Sequence, residues 1–247
     1  MMTSKARTAK NAYERERRRL QRLHRYETAA RARGYRFLGG VDEVGRGPLA
    51  GPVVAACVVA TQPLLIKGLN DSKAVRPQLR REIAVQICDA AAGYGIGVAS
   101  VEEIDRINIY WASVLAMERA IAALQCQPPD YLFTDAVRIR SYRGPQEPLV
   151  KGDAICAVIS AASIIAKVHR DALLEALDRE DPRYGFAVHK GYATPQHISA
   201  LALHGPSVHH RAGFARVKSA QIELLLEAPF AADETRGNEY ELQGARR

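Results

Sequence analysis

The chain has 247 residues, of which 47% are hydrophobic and 25% charged, an ordinary composition for a globular protein of one or two domains. It contains no run of about 18 apolar residues, which excludes a membrane-spanning helix, and its N-terminus lacks the apolar segment of a secretory signal. There is no Cys-x-x-Cys pair, so we expect reduced thiols in a cytoplasmic protein rather than disulfides or a zinc site. The four cysteines are Cys57, Cys88, Cys126 and Cys156.

The net charge of +8 is carried by the N-terminal segment. Residues 1–36 contain 12 Lys and Arg against 3 Asp and Glu, whereas the remaining residues contain 23 basic and 24 acidic side chains. This balance of +9 against −1 suggests a polyanionic partner such as nucleic acid. The same segment has an apolar stripe, which leaves open the alternative that it packs on the body. The stripe consists of Tyr13, Leu20, Leu23 and Tyr26.

The predicted elements are strands interleaved with helices. Apolar and β-branched runs predict strands at 35–43, 52–60, 94–101 and 131–135, and a short strand near 149–150. Helical spacing of apolar residues, together with proline and glycine boundaries, predicts helices at 12–33, 77–92, 155–180, 195–204 and 217–227. A further helical stretch begins at 102, with its longer piece from about Tyr110 to Leu124. This order predicts an α/β domain built on a mixed sheet.

Acidic residues stand at three of the predicted element boundaries. Asp42 and Glu43 close the first strand, Asp135 ends the strand YLFTD, and Asp153 lies in KGD before the long helix. Taken singly, such residues are more often solvent-exposed strand ends, and Asp153 is also a good candidate for a helix N-cap. Clustered carboxylates repel one another unless cations lie between them, and their hard oxygen atoms suit Mg²⁺ or Mn²⁺. Four carboxylates that hold two such ions would suit phosphodiester hydrolysis.

A tight glycine-rich turn, GRGP at 45–48, follows the first pair of acids. Glycine lets backbone N–H groups approach a ligand closely, and an arginine between two glycines suits a phosphate. The alternative is an ordinary loop, which the turn alone does not exclude. The chain has no G-x-x-x-x-G-K-[ST] segment and no G-x-S-x-G segment, which argues against a nucleotide-phosphate loop and an α/β-hydrolase.

Five segments resemble, in order, those of bacterial ribonuclease HII, the type 2 family of the ribonuclease H-like superfamily. They are GVDEVGRGPLAGPVVAACVV (40–59), LNDSKAV (69–75), YLFTDAV (131–137), KGDAICAVISAASIIAKVHRD (151–171) and HKGYATPQH (189–197). The resemblance extends from about Tyr35 to about Phe214, and its first segment and AASIIAKVHRD are highly specific. In one departure, Ala136 follows Asp135 where the family usually has glycine, which bears on the local freedom of the backbone.

The resemblance implies an α/β fold with a ribonuclease H-like mixed five-stranded sheet flanked by helices. The expected parts are a basic helical N-terminal extension over 1–34, a catalytic domain over 35–228 that includes the C-terminal helices, and a polar tail over 229–247. The implied activity is that of a metal-dependent endonuclease acting on the RNA strand of RNA–DNA hybrids and on ribonucleotides embedded in duplex DNA. It would leave 3′-hydroxyl and 5′-phosphate ends and bind two divalent ions, Mn²⁺ or Mg²⁺, together with the substrate.

The resemblance also implies roles for individual residues. The catalytic and metal-holding carboxylates would be Asp42, Glu43, Asp135 and Asp153. Gly45, Arg46 and Gly47 would contact the ribose 2′-hydroxyl beside the scissile phosphate, largely through backbone atoms, since that hydroxyl separates RNA from DNA. Tyr192 would contact the same hydroxyl and stack on the next, deoxy, sugar, and Lys73 would contact a backbone phosphate. The alternatives are a half-buried aromatic in a loop for Tyr192 and a solvated side chain for Lys73.

Three other classes of function compete with this one. A ribonuclease HIII-like enzyme would need a substantial N-terminal domain, and the about 35 residues that precede the matching segments are too few for one. A two-carboxylate glycoside hydrolase would need an aromatic cleft, but the chain has one Trp and only 6% aromatic residues. A catalytically silent nucleic-acid binding protein stays open. We expect a monomer with no membrane partner, and the sequence does not identify any protein partners.

The histidines predict no zinc site. His209 and His210 are adjacent, so their side chains diverge, and the family pattern suggests a structural role for the His-Arg-Phe region. His189 and His197 are eight residues apart and lack a third ligand at a zinc spacing.

Overall fold

The computed structural model describes residues 4–227, so the predicted tail over 229–247 lies outside the described residues. Its centre is a mixed five-stranded sheet with the order β3-β2-β1-β4-β5. The strands are β1 (Leu38–Val44), β2 (Val53–Ala60), β3 (Gly93–Ala99), β4 (Tyr131–Asp135) and β5 (Gln146–Leu149). The first three strands form an antiparallel meander, and β4 and β5 add to β1 in parallel. This topology confirms the predicted mixed sheet.

The helices are α1 (Ser4–Leu23), α2 (Arg25–Ala32), α3 (Pro77–Ala90), α4 (Val101–Ala122), α5 (Gly152–Ile155), α6 (Ala157–Glu180), α7 (Phe186–His189), α8 (Pro195–His204) and α9 (Ala215–Glu227). Several bounds differ from the prediction: α1 begins at Ser4 rather than at 12, β5 spans Gln146–Leu149, and α7 is not predicted. Non-helical backbone at Asn108 (φ 66) interrupts α4. Two further differences are breaks. The helix predicted at 12–33 is interrupted at His24, and the long helix is divided at Cys156, whose extended backbone separates α5 from α6. Within residues 4–227, no helix combines the length and apolarity that a membrane crossing requires.

The sheet lies between α6 on one face and α4 on the other. Every residue of β2 is buried, because this strand is covered on both faces. Small residues let both helices approach the sheet: a Cβ at Gly40 would lie 2.2 Å from the carbonyl carbon of Val158 in α6, and one at Gly97 would lie 2.0 Å from the oxygen of Ala116 in α4. The close approach of α6 sets the position of its N-terminal end above β1.

The N-terminal helices pack on the body. Leu20 and Leu23 are buried in the core on the α6 side of the sheet, whereas Tyr13 of the predicted stripe is 67% exposed. Arg19 donates to the carbonyl oxygen of Leu69 at 2.6 Å, and Glu16 accepts from the N–H of Gly68 at 2.9 Å. The alternative that this segment packs on the body is therefore correct for these residues. Other arginines of the segment are exposed to solvent and can still contact a polyanion.

Glu27 in α2 joins the extension to the long helix. Its carboxylate is buried and accepts the N–H of Val158 at 2.9 Å, although the two residues are 131 positions apart. The N-cap residue of α6, Cys156, supplies no side-chain hydrogen bond, so Glu27 satisfies a free N–H of the first turn in its place. Burial raises the pKa of Glu27.

Replacing Glu27 with alanine should lower the free energy of unfolding by about 1–2 kcal/mol, the usual effect of losing a helix cap. Glu27→Gln should retain much of the stability, because an amide oxygen can still accept the Val158 N–H. Chemical denaturation at pH 7 measures both effects. Glu14→Ala, which removes an exposed ion pair to Arg17, is the matched control and should change stability by less than about 0.5 kcal/mol. Equal effects of Glu27→Ala and Glu14→Ala would contradict the capping role.

Candidate active site

Asp42 and Glu43 lie near the end of β1, which runs one residue further than predicted, to Val44. Adjacent residues of a strand point to opposite faces, so the two side chains start on opposite sides of the sheet. Asp42 is 4% exposed, and its own Oδ1 accepts the N–H of Glu43 at 2.8 Å. Glu43 accepts from Arg46 at 3.3 Å through Oε1, while its buried Oε2 has no hydrogen-bond partner among the described residues.

Asp135 and Asp153 are brought together by one backbone hydrogen bond. Asp135 ends β4, beside the end of β1, and its Oδ1 accepts the N–H of Gly152 at 2.7 Å. This contact fixes the start of α5 against β4, and Asp153 is the next residue. The N-cap of α5 is Lys151, which has left-handed backbone (φ 57), so the capping alternative for Asp153 is wrong.

The acids lie near enough to one another to affect each other's ionisation. Burial and the charge of Glu43 raise the pKa of Asp42 well above its ordinary value, and Asp135 and Asp153 act in the same direction. Burial raises the pKa of Glu43, which Arg46 opposes and Asp135 reinforces. Burial raises the pKa of Asp153 too, reinforced by Asp71 and Asp135. Like charges placed this close disfavour ionisation unless a cation is present.

The donor set fits a hard divalent cation. All four side chains offer carboxylate oxygens, which Mg²⁺ and Mn²⁺ prefer, and the buried, unpartnered Oε2 of the partly buried Glu43 is an atom that a cation would satisfy. Within residues 4–227, no three His, Cys, Asp or Glu side chains are grouped as a ready-made metal site. The residues that would hold such an ion are Asp42, Glu43, Asp135 and Asp153.

The glycine-rich turn beside the acids is held by two buried arginines. Arg211 donates to the carbonyl oxygens of Gly45, Arg46 and Gly51 at 2.6–3.0 Å. The carbonyl oxygens of Gly45 and Arg46 therefore point away from the cleft, and no hydrogen bond among the described residues engages the N–H of Arg46 or Gly47. Arg170 lies against Gly45, where a Cβ would meet its Nε at 2.3 Å and where φ is +97°.

Arg170 also extends the support to the loop that carries Tyr192. It donates to the carbonyl oxygens of Pro52, Ala50 and Lys190 at 3.0 Å each. Burial lowers the pKa of Arg170 to about 10 and that of Arg211 to about 9, so both stay charged at neutral pH. Their charges are stabilised by carbonyl dipoles, which makes the turn and the loop one hydrogen-bonded unit.

Tyr192 and Lys73 both reach the cleft. The Tyr192 ring is 39% exposed, and a Cβ at Gly47 would lie 3.9 Å from its Cε1, so the ring stands beside the glycine-rich turn. Burial acts to lower the pKa of Lys73, but the carboxylates of Asp71, Asp153 and Asp42 raise it overall. Tyr192 therefore lies beside the turn, and Lys73 lies near enough to the acids for their charges to affect it.

A comparison with known families agrees with this geometry. Residues 39–218 match the model of the family described as "Ribonuclease HII". The chain belongs to the ribonuclease HII family. It is 48% identical over 203 residues to the ribonuclease HII of Pelotomaculum thermopropionicum, covering 81% of this chain and 76% of that protein. It is an endonuclease of the ribonuclease H class and depends on divalent metal ions, as the family does.

Solved structures share the fold of this ribonuclease HII family member. The ribonuclease H2 of Pyrococcus horikoshii has a TM-score of 0.66 and 25% identity, with 76% of this chain and 99% of that chain covered. A ribonuclease HIII described as "Bst-RNase HIII in complex with Mn2+" has a TM-score of 0.61 and 21% identity, with 76% of this chain and 70% of that chain covered.

Ala136 adopts the conformation that a glycine would adopt more easily. Its φ is 52°, in the left-handed region, and its N–H donates to the carbonyl oxygen of Leu149 at 3.0 Å. The departure from the family pattern is therefore tolerated at the cost of local backbone strain beside Asp135.

Sequence reasoning missed several residues of this site. Asp71 lies close enough to Asp153 to raise its pKa, and the Asp71 Oδ1 accepts the N–H of Lys73 at 2.9 Å. Ser163 of α6 lies beside Asp42, where its hydrogen bond opposes the rise in the pKa of that carboxyl. Asp71 stands in the segment LNDSKAV and Ser163 in AASIIAKVHRD, but nothing local distinguishes either from an ordinary polar residue.

Metal-free Asp42→Asn should unfold at a higher temperature than the metal-free wild-type protein at pH 7. The raised pKa means that ionising Asp42 costs folding free energy, so stability is lost as the pH rises from the ordinary value of 3.8 through the folded-state pKa. A difference of about 2–4 °C or more is expected in calorimetry with a chelator, shrinking near pH 4. Asp89→Asn, at an exposed position, is the control. A lower melting temperature for Asp42→Asn would show that the carboxylates do not repel one another.

Proposed function

We propose that the enzyme cuts RNA–DNA hybrids and duplex DNA at embedded ribonucleotides, leaving 3′-hydroxyl and 5′-phosphate ends. The observation that carries this proposal is the buried carboxyl of Asp42, which lies on the strand that leads directly into the glycine-rich turn beside Tyr192. Burial raises the pKa of this carboxyl, and the charges of Glu43, Asp135 and Asp153 raise it further. A phosphodiester bound at the acids would therefore have its neighbouring sugar against the turn. Cleavage would then depend on whether the sugar next to the bound phosphodiester is a ribose or a deoxyribose.

The four carboxylates hold two divalent ions in this proposal, Mg²⁺ or Mn²⁺, together with the substrate. Such ions supply an activated water and stabilisation of the leaving oxygen when they are bound. Asp42 and Glu43 hold them from β1, Asp135 from the end of the neighbouring strand β4, and Asp153 from the start of α5. The ribonuclease HIII that shares this fold was solved in complex with Mn²⁺, which supports the choice of ion class.

The turn and Tyr192 recognise the ribonucleotide. Because the carbonyl oxygens of Gly45 and Arg46 are occupied by Arg211, the N–H groups of Arg46 and Gly47 are free to donate to a ribose 2′-hydroxyl. The half-exposed ring of Tyr192 contacts the same hydroxyl and stacks on the next sugar. Only RNA carries the 2′-hydroxyl, so this contact selects the cutting position.

Lys73 contacts a backbone phosphate next to the cut, since it is an exposed and charged side chain. Desolvation acts to lower the pKa of its ammonium group, but the carboxylates of Asp71, Asp153 and Asp42 raise it overall. We assign residues 1–34 to a basic helical extension and 35–228 to the catalytic domain, with 229–247 as a polar tail. Exposed arginines of the extension add non-specific attraction to the duplex. The protein acts in the cytoplasm as a monomer.

The test is a duplex that carries one ribonucleotide, incubated with Mg²⁺ or Mn²⁺ and mapped at the cut. The wild-type protein should cut beside the ribonucleotide, and a chelator should abolish the cut. Asp153→Asn should reduce the rate at least a hundredfold, since it removes one metal-holding charge. The metal-free variant should melt no lower than the metal-free wild-type protein, because burial and its acidic neighbours raise the pKa of Asp153. Asp89→Asn should cut normally.

Two results would overturn the proposal. Chelator-insensitive binding without any cutting would favour the silent nucleic-acid binding protein. Normal cutting by Asp153→Asn would remove that carboxylate from the catalytic set.

A further inference from the structure

Three buried histidines lie behind the loop that carries Tyr192. The sequence analysis did not predict any contact between them. His189, His197 and His210 are each at most 7% exposed. The rings of His189 and His197 stack with centroids 4.3 Å apart, and the Nε2 atoms of His197 and His210 are 3.0 Å apart. None of them takes part in the roles proposed above.

The hydrogen bonds assign a single neutral form to each ring. Backbone N–H groups can only donate and carbonyl oxygens can only accept, so each such partner fixes which ring nitrogen carries the proton. The N–H of Ser207 donates to Nδ1 of His210 at 3.0 Å, which places the His210 proton on Nε2. His197 Nδ1 lies 2.9 Å from the carbonyl oxygen of Tyr192, which places the His197 proton on Nδ1. The contact between the two rings is then His210 Nε2–H donating to His197 Nε2.

His189 is fixed in the same way. The N–H of Gly191 donates to its Nδ1 at 3.2 Å, and its Nε2 therefore donates to the carbonyl oxygen of Tyr184 at 2.7 Å. The three assignments are mutually consistent, and a second proton on any ring would place two donors face to face. Burial lowers the pKa of His197, and burial together with the neighbouring His197 lowers the pKa of His210 to about 4, so both rings are neutral at pH 7.

The chain of hydrogen bonds ends on the backbone of Tyr192. Its carbonyl oxygen accepts from Nδ1 of His197 and also from the N–H of Thr194 at 2.8 Å, and its own N–H donates to the carbonyl oxygen of His189 at 2.9 Å. His197 is thus the only side-chain donor to this oxygen among the described residues. The neighbouring Gly191 is held by His189 through its N–H and by the N–H of Leu49 through its carbonyl oxygen. A Cβ at Gly191 would lie 3.4 Å from Cβ of Pro48 in the glycine-rich turn and 2.5 Å from the oxygen of Ala50 just after it, so the loop packs directly against the end of the turn. A shift of the Tyr192 backbone would therefore move the ring relative to Gly47.

We propose that His197 is a positioning residue for ribonucleotide recognition: its Nδ1–H, oriented by His210, holds the backbone of Tyr192 at the distance from the glycine-rich turn that recognition of the 2′-hydroxyl requires. This inference rests on the proposed function of Tyr192. It adds a residue that touches neither substrate nor metal.

The substitutions His197→Asn and His197→Gln separate this role from simple packing. The asparagine amide reaches the place of Nδ1 and keeps the donor to Tyr192, whereas the glutamine amide reaches the place of Nε2 and keeps only the link to His210. Glutamine is closer to histidine in volume. A packing role therefore predicts that the glutamine variant is the better one, and the positioning role predicts the asparagine variant.

The experiment measures kcat/KM on a one-ribonucleotide duplex, with melting temperatures for each variant. His197→Gln should lower kcat/KM by about three- to tenfold, the usual effect of one lost hydrogen bond, and His197→Asn by less than about twofold. In the Tyr192→Ala variant, adding His197→Gln should lower kcat/KM by less than about a further twofold, because the ring that His197 positions is then absent. His204→Gln, at an exposed histidine near Tyr184, is the control.

The inference would be overturned if the losses of kcat/KM in His197→Gln and Tyr192→Ala multiplied in the double variant. It would also be overturned if His197→Gln kept a higher kcat/KM than His197→Asn. An independent readout is ¹⁵N NMR of the imidazole rings at pH 7, which should show protons on Nδ1 of His197 and on Nε2 of His189 and His210. Any other set of neutral forms would overturn it as well. If the wild-type protein does not cut the duplex, the proposed function fails, and the NMR result still decides the hydrogen-bond chain.

Discussion

The constraint on which the site depends is the pair of buried guanidinium groups of Arg170 and Arg211. Both are fully buried, and each donates to several carbonyl oxygens of residues 45–52. Burying a charge is costly unless hydrogen bonds compensate it, so these contacts require the turn to stay in one conformation. Removing either the guanidinium or the turn conformation would leave buried polar groups without partners.

The four acidic side chains are placed by the sheet, which also leads into the glycine-rich turn. Asp42 and Glu43 are fixed by the antiparallel register of β1 with β2, and Asp135 by the parallel register of β4 with β1. The Asp135–Gly152 hydrogen bond then adds the segment that carries Asp153. The acids are thus placed by the sheet and the recognition groups by the arginines, and the turn that follows β1 connects the two.

Much of this could be predicted from the sequence because its causes are local. The continuous apolar run of β2 indicates a strand buried on both faces, and acids at strand ends indicated where the cluster would lie. The break at Cys156 has no proline or glycine to signal it, and the left-handed backbone at Lys151 and Ala136 falls on residues that rarely adopt it. Contacts such as Arg211 to Gly45, 166 positions apart, depend on the folded topology alone.

The most direct measurement of the central claim is the activity of Arg211→Lys. Lysine keeps the charge but cannot donate in the forked geometry to three carbonyl oxygens, so the turn should lose its fixed conformation while the acids keep theirs. We expect Mn²⁺ binding, measured by calorimetry, to be retained, and cutting of a one-ribonucleotide duplex to fall at least tenfold in the folded variant. Cutting at the wild-type rate would contradict the account, because recognition would then not depend on how the turn is held.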